Sequence, residues 1–385
     1  MGVLKLQQDR LQWATRTAAS AWSSFDVQLV IYSALLTGMG LLMAYTNSYS
    51  AGGSPFSASS TFVRGAIWAT VAVVAFLAAA AFDYRWLKTF AWPLYFVNIG
   101  LLVLSLAVGT GVGGSARWVT IAGMQFQFSE LAKVLMAVVL ANWISSREGK
   151  VGGLFTIVGA VALTVPPIAL VAMQPDLGTS LVFAAMLVGT LFVSGASMRW
   201  LTVGAAAAVA AIPFAWTYVL RDYQKQRLIS FLDPNADPLG SGYHVIQSMI
   251  AVGSGGLFGQ GLTNGTQSQL DYLPVQSTDF VFSILAEELG FVGALVVFLL
   301  FAALIWRVLL AAWRSEDAFG LAFAGAIASM LLFQVLVNVG MTIGIMPVTG
   351  IPLPFITYGG ASLISIALGL GVLQSINLRQ VRPKW

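Results

Sequence analysis

Runs of about twenty apolar residues recur along this chain, and each is long enough to carry a helix across the hydrocarbon core of a bilayer. Of its 385 residues 58% are hydrophobic and only 9% are charged. A water-soluble domain of this size cannot carry so few charges, so the chain reads as an all-α polytopic membrane protein. About ten spans are expected, near 27–46, 66–82, 89–108, 131–144, 154–173, 177–193, 201–220, 280–306, 318–345 and 360–378. The scarce charges then carry most of the functional information.

Lys and Arg placement sets the expected orientation. With ten spans and both termini cytoplasmic, Arg85, Lys88, Arg147, Lys150, Arg199, Arg307 and Arg314 fall inside with the basic residues of both ends. Only Arg64, Arg117, Arg221, Lys225 and Arg227 fall outside, and Lys133 lies within a span. The expected organisation is a cytoplasmic segment 1–26, an integral domain 27–378 with a large outer loop 221–278, and a cytoplasmic tail 379–385. The net charge of +4 follows from these inner loops and calls for no nucleic acid. The mixed polar N-terminus and spanning-length first apolar run argue against a cleaved signal peptide.

The chain has no cysteine and one histidine, His244. Thiol nucleophiles, thiolate metal sites, multi-histidine metal clusters and Ser-His-Asp triads are excluded. Acid–base work falls to carboxylates, lysine or tyrosine.

Two regions break the span pattern. The 221–278 loop is too long for a simple connection between packed helices. It holds a short apolar stretch from Val245 to Val252 and then Gly253, Gly255, Gly256, Gly259 and Gly261, which suggests an amphipathic or re-entrant element on the outer face. The second region, from Met346 to Ser362, contains Pro347, Pro352, Pro354, Gly350, Gly359 and Gly360 in an almost uncharged setting. Non-helical backbone at membrane depth survives only against protein or a wet cavity, so this segment should wall a cavity near the outer surface.

Asp279 precedes a long apolar run, a position that suits a helix N-cap as well as a general base. Glu130 and Lys133, three residues apart, share a helix face. A lysine within a span needs a counter-ion, and Glu130 and Asp176 are the candidates. The pairing expected is Lys133 with Asp176, with Glu130 facing the cavity; a purely structural ion pair is the alternative. Arg117, Lys225 and Arg227 suit phosphate oxygens, or simply lipid headgroups. Gln247 sits on the short amphipathic element as a candidate hydrogen-bonding residue. His244 and the Trp residues read as surface, packing or interfacial groups.

These segments together resemble the SEDS family (shape, elongation, division and sporulation) of bacterial cell-wall proteins. The resemblance covers nearly the whole chain. It is carried by Phe82-Asp83-Tyr84-Arg85, Ala116-Arg117-Trp118, Ser129-Glu130-Leu131-Ala132-Lys133, Gln174-Pro175-Asp176-Leu177-Gly178-Thr179, Gln226-Arg227, Gly253-Ser254-Gly255-Gly256-Leu257, Thr278-Asp279-Phe280 with Glu287-Glu288-Leu289-Gly290, and the proline-glycine segment. The stretches 347–352 and 265–270 are nearer its RodA-like elongation branch than its FtsW-like division branch.

The resemblance implies a peptidoglycan glycosyltransferase of the bacterial cytoplasmic (inner) membrane. It would polymerise lipid II at the outer face beside a class B penicillin-binding protein, the transpeptidase. Asp279 would be the catalytic base, with Arg117, Lys225, Arg227 and Gln247 binding substrate and pyrophosphate, and Glu130, Lys133 and Asp176 as cavity or structural charges. A divalent cation, Mg or Mn, is an open cofactor, with Asp279 and Glu288 as its candidate carboxylates. The family often has Glu and His where this chain has Val275 and Ser277, which places more of the burden on Asp279. A precursor flippase and a scaffold for the transpeptidase are the competing readings.

Overall fold

The structure is a computed structural model. It describes residues 25–50, 54–112, 115–121, 124–238, 240, 242–270, 272 and 279–379. Val275, Ser277 and Thr278 lie outside the described residues, as do most of the two terminal segments.

Among the described residues, nine helices are long and apolar enough to cross a membrane, and the shorter apolar helix Leu177–Val193 makes a tenth. They are α1 (Val27–Ser50), α2 (Thr61–Ala81), α4 (Ala91–Val108), α5 (Phe128–Ser145), α6 (Leu154–Met173), α7 (Leu177–Val193), α8 (Met198–Ala210), α11 (Val281–Arg314), α12 (Ala318–Thr342) and α13 (Gly360–Arg379), with a short α3 (Tyr84–Thr89) leading into α4. The apolar run of α8 continues through a π-helical turn, Ala215–Val219, to complete its span. The chain is a multi-pass membrane protein.

The centre is formed by α5, α12 and α13, whose spanning windows are 67%, 72% and 78% buried. Their neighbours α1, α2, α4, α6, α7 and α11 pack around them. The spanning window of α8 is 0% buried, so that helix stands at the margin of the bundle. With no hydrophobic drive between helices in lipid, close packing of small residues matters more. Gly40 of α1 illustrates this, because a Cβ there would strike the Phe355 carbonyl.

Between α4 and α5 lies a small antiparallel sheet, β1 (Thr110–Val112), β2 (Ser115–Ile121) and β3 (Met124–Phe126), in the order β1-β2-β3. Thr110 pairs with Trp118, and Val119 with Phe126. The sequence reading did not foresee these strands.

The long 221–278 loop carries α9 (Asp222–Leu232), α10 (Tyr243–Ser254) and a turn at Thr266–Gln269 among its described residues. Helix α10 docks into the bundle. Ser248, fully buried, donates to the Thr342 carbonyl at 2.7 Å and lies 2.7 Å from the Ser283 hydroxyl, which fastens α10 to both α11 and α12.

The glycines that follow α10 have a specific task. Helix α11 breaks at Gly290, where φ is 67° and ψ −166°, conformations open to glycine. The loop backbone replaces the helix bonds lost there. Gln260 N–H donates to Glu287 O (2.9 Å), Gly261 N–H to Glu288 O (3.1 Å), Phe291 N–H to Gly256 O (2.9 Å) and Val292 N–H to Leu257 O (3.1 Å). Side chains at Gly255, Gly259 or Gly290 would collide with this backbone pairing. A helix kink at membrane depth is tolerated because protein re-satisfies its polar groups.

Candidate active site

Three segments converge at one end of the bundle: the corner before α7, helix α9 and the proline-glycine segment between α12 and α13. They enclose a cavity of about 280 Å³ lined by Pro175, Leu177 and Leu181, by Leu220, Tyr223, Gln224, Arg227 and Leu228, and by Pro347, Val348 and Thr349. The lining is mostly apolar with a few convergent polar groups, as expected of a ligand site. The proline-glycine segment thus walls a cavity, as its composition requires.

Hydrogen bonds hold the walls together. Tyr223 donates its hydroxyl to the Pro175 carbonyl at 3.0 Å and receives Gln224 Nε2 at 3.0 Å. Arg227 Nη1 donates to the Val348 carbonyl at 3.4 Å, with its guanidinium carbon 5.8 Å from the Tyr223 ring. The opposite wall is packed too closely to admit any side chain at Gly178, where a Cβ would lie 2.7 Å from Ile351 Cγ1 and 2.8 Å from the Thr349 carbonyl.

Asp279 is half-buried, one residue before the N-cap of α11. Phe280 takes the N-cap position of α11 and forms no side-chain cap bond of its own. The Asp279 carboxylate faces Gly350, the residue after the cavity wall. Its Oδ2 is 3.4 Å from where a Gly350 Cβ would be, and Gly350 has φ +74°. Asn338, fully buried on α12, donates to the Asp279 carbonyl (3.1 Å) and the Ile351 carbonyl (2.8 Å). Asn338 was not among the residues expected from sequence. A lone Asn inside an apolar span was the available signal.

Of the other expected residues, Arg227 reaches the cavity and Arg117 is on β2, where its side chain lies outside what the structure describes. Lys225 is on α9 but lies 3.9 Å from Asp222, an i,i+3 contact on its own helix. Gln247 is half-buried on α10. His244, on the same helix, stacks on Phe280 with ring centroids 6.2 Å apart. Burial, with a smaller contribution from the Arg227 charge, holds its pKa below the usual imidazole value.

The charged pair in α5 differs from expectation. Lys133 Nζ lies 2.9 Å from Glu130 Oε1 and 2.8 Å from Oε2, with both side chains buried. Glu130 therefore does not stand free to face a cavity. The i,i+3 separation within one helix brings the two groups together without any adjustment between helices. Asp176 caps α7 through Thr179 N–H (3.0 Å), and also accepts from Thr179 Oγ1 (3.0 Å) and Gln127 Nε2 (2.9 Å). It sits beside Pro175 and so anchors the corner that forms one cavity wall.

Glu288, the second carboxylate considered for a metal, is buried against the glycine loop, where its Oε1 accepts from Thr263 N–H at 3.3 Å. Glu287 accepts from Gln267 N–H at 2.8 Å in the same loop. Among the described residues no group of three or more His, Cys, Asp or Glu side chains converges to hold a metal ion.

The FtsW/RodA/SpoVE model, described as a cell cycle protein, matches residues 27–381. The chain belongs to that family. Among relatives of this FtsW/RodA/SpoVE protein, the peptidoglycan glycosyltransferase MrdB of Escherichia coli (strain K12) is 45% identical over 74% of this chain and 76% of its own length. The peptidoglycan glycosyltransferase RodA of Treponema pallidum (strain Nichols) is 33% identical over 93% of this chain and 99% of its own. One solved chain, from a study of how a peptidoglycan synthase complex coordinates polymerization and crosslinking, is 32% identical and superposes with a TM-score of 0.76, covering 92% of this chain and 97% of that one. The family match, over residues 27–381, takes in the cavity-forming segments and the Asp279 turn.

Proposed function

We propose that this FtsW/RodA/SpoVE protein is a peptidoglycan glycosyltransferase that polymerises lipid II into glycan strands, serving cell elongation and shape at the outer face of the bacterial inner membrane. The observation that carries the mechanism is the placement of the Asp279 carboxylate against Gly350, the residue that follows the cavity-lining Thr349. A carboxylate there adjoins a mostly apolar cavity edged by Arg227. Its relatives named as peptidoglycan glycosyltransferases support the same activity.

In this mechanism, the acceptor sugar hydroxyl attacks the anomeric carbon of the donor. The bond from that carbon to the lipid pyrophosphate breaks, inverting the centre, and Asp279 takes the hydroxyl proton. Arg227 supplies charge to the departing pyrophosphate, assisted by Arg117 and Lys225 from neighbouring outer segments. Gln247 contributes a sugar hydrogen bond. Positioning of two lipid-linked sugars supplies much of the acceleration. The apolar cavity flank of Leu177, Leu181, Leu220 and Leu228 suits lateral entry of a lipid chain past the marginal α8.

A divalent cation such as Mg or Mn fits this site only in part. Asp279 offers one carboxylate, whereas Glu288 is engaged by the glycine loop, so substrate phosphate oxygens would supply most of the ligands. Both termini are assigned to the cytoplasm from the basic residues of the loops, and the partner is assigned as a class B penicillin-binding protein.

The test is conversion of labelled lipid II to polymer by the purified protein in detergent, with that partner present. Asp279→Asn keeps the size and polarity but not the basicity of the carboxylate. Polymer from the parent and none from this variant is the expected result. Near-normal polymer from Asp279→Asn would falsify the base assignment. Lipid II translocation in vesicles without any polymer would favour the flippase.

A further inference from the structure

We propose that Asn338 is a positioning residue for glycan transfer: it locks the main chain of Asp279 to the cavity wall and thereby fixes the carboxylate against the reacting hydroxyl. This rests on the reading of Asp279 as the base. Asn338 Nδ2 gives its two hydrogens to two different segments, the Asp279 carbonyl at 3.1 Å and the Ile351 carbonyl at 2.8 Å. Neither segment belongs to a regular helix at that point. One carries the carboxylate and the other carries Gly350, over which that carboxylate lies.

The cavity wall is continuous with the second of these bonds. Thr349 and Val348 line the cavity, Arg227 donates to Val348, and Ile351 packs on Gly178 beside the Asp176 corner. A single buried amide on the central helix α12 therefore sets the spacing between base and substrate cradle. Asn338 is fully buried, and its Oδ1 accepts no hydrogen bond from the described residues. Its geometry serves the two carbonyls rather than its own full satisfaction. Side chains that orient a reacting group by hydrogen bonds to its support act on alignment, to which rate is steep.

The experiment measures kcat and KM for lipid II polymerisation by the full-length protein with Asn338→Leu and Asn338→Ser, alongside Asp279→Asn. Leu keeps the branching at Cγ and removes both donors, while Ser retains one donor on a shorter arm. We expect kcat to fall about 100-fold for Asn338→Leu and less for Asn338→Ser, with KM changed less than about twofold. Should the Leu variant not fold, the Ser variant must show the kcat loss by itself. Wild-type kcat in a folded Asn338 variant, or a rise in KM alone, overturns the positioning role while leaving the base assignment intact. Polymerisation by Asp279→Asn overturns both together.

Discussion

Lys133 is clasped by both carboxylate oxygens of Glu130, at 2.9 and 2.8 Å, with both residues buried inside the bundle. A buried pair of this kind adds little stability relative to apolar packing, but breaking it is costly because one charge remains uncompensated. Lys133→Met should therefore destabilise the protein by about 3–5 kcal/mol. The double variant Lys133→Met, Glu130→Leu should recover much of the loss. Thermal unfolding of the four members of this cycle in detergent is the measurement. Additive losses would mean that the pair does not act as a unit.

The break in α11 leads to a second expectation. At φ 67° and ψ −166°, Gly290 occupies a region that side-chain-bearing residues avoid, at a cost of about 1–3 kcal/mol. A methyl group there would also strike the backbone of the glycine loop, including Gly259 N and the Leu257 carbonyl. Gly290→Ala should lower the midpoint of thermal unfolding. It should also loosen the 255–261 loop, read as faster amide exchange at Gln260 and Gly261, whose N–H groups bond to Glu287 and Glu288. Unchanged protection at both amides would show that loop and kink do not support each other.

Much of this architecture was legible in the sequence because a membrane demands a simple signal. Ten apolar runs are visible by length alone, and the proline-glycine segment declares itself by composition. What was hidden depends on partners distant in the chain. The glycines at 255–261 looked unusual, but nothing local showed that their partner was a broken helix thirty residues on. The strands β1 and β3 are three residues each, too short for any alternation to register. The ion pair required choosing between Glu130, three residues from Lys133, and Asp176, forty-three residues away. The choice made from sequence gave too little weight to the partner already on the same helix face. Asn338 lies in an apolar stretch whose pattern gave no reason to prefer function to packing.

His244 provides a pH test outside the spans. Its folded-state pKa is lowered from 6.5, first by burial and second by Arg227. The unfolded chain therefore binds the proton more readily than the folded one, and stability rises with pH. This contribution is complete above about pH 6.5 and is lost as pH falls toward the lower folded value. Replacing His244 with Gln should flatten the dependence of unfolding temperature on pH between about 5 and 7. A slope identical in parent and variant would assign the dependence to other groups.

The cavity itself can be tested by filling it. Leu181 is on α7 and lines the apolar flank opposite Leu228 of α9. About half of its surface remains exposed, so a larger side chain can be accommodated without displacing the central helices. An indole at this position would occupy a substantial part of the 280 Å³ that the cavity offers. Because Leu181 lines the cavity and takes no part in the Asn338 bonds that hold Asp279, the expected effect is on substrate binding, not on the transfer step. Leu181→Trp should raise the KM for lipid II about 10-fold or more, equivalent to about 1.4 kcal/mol of lost binding, with kcat within about twofold of the parent. Measuring both constants across a range of lipid II concentrations separates the outcomes. A fall in kcat at unchanged KM would place the reacting centre, rather than the lipid-binding flank, against Leu181, and would require the path of the substrate through the cavity to be redrawn.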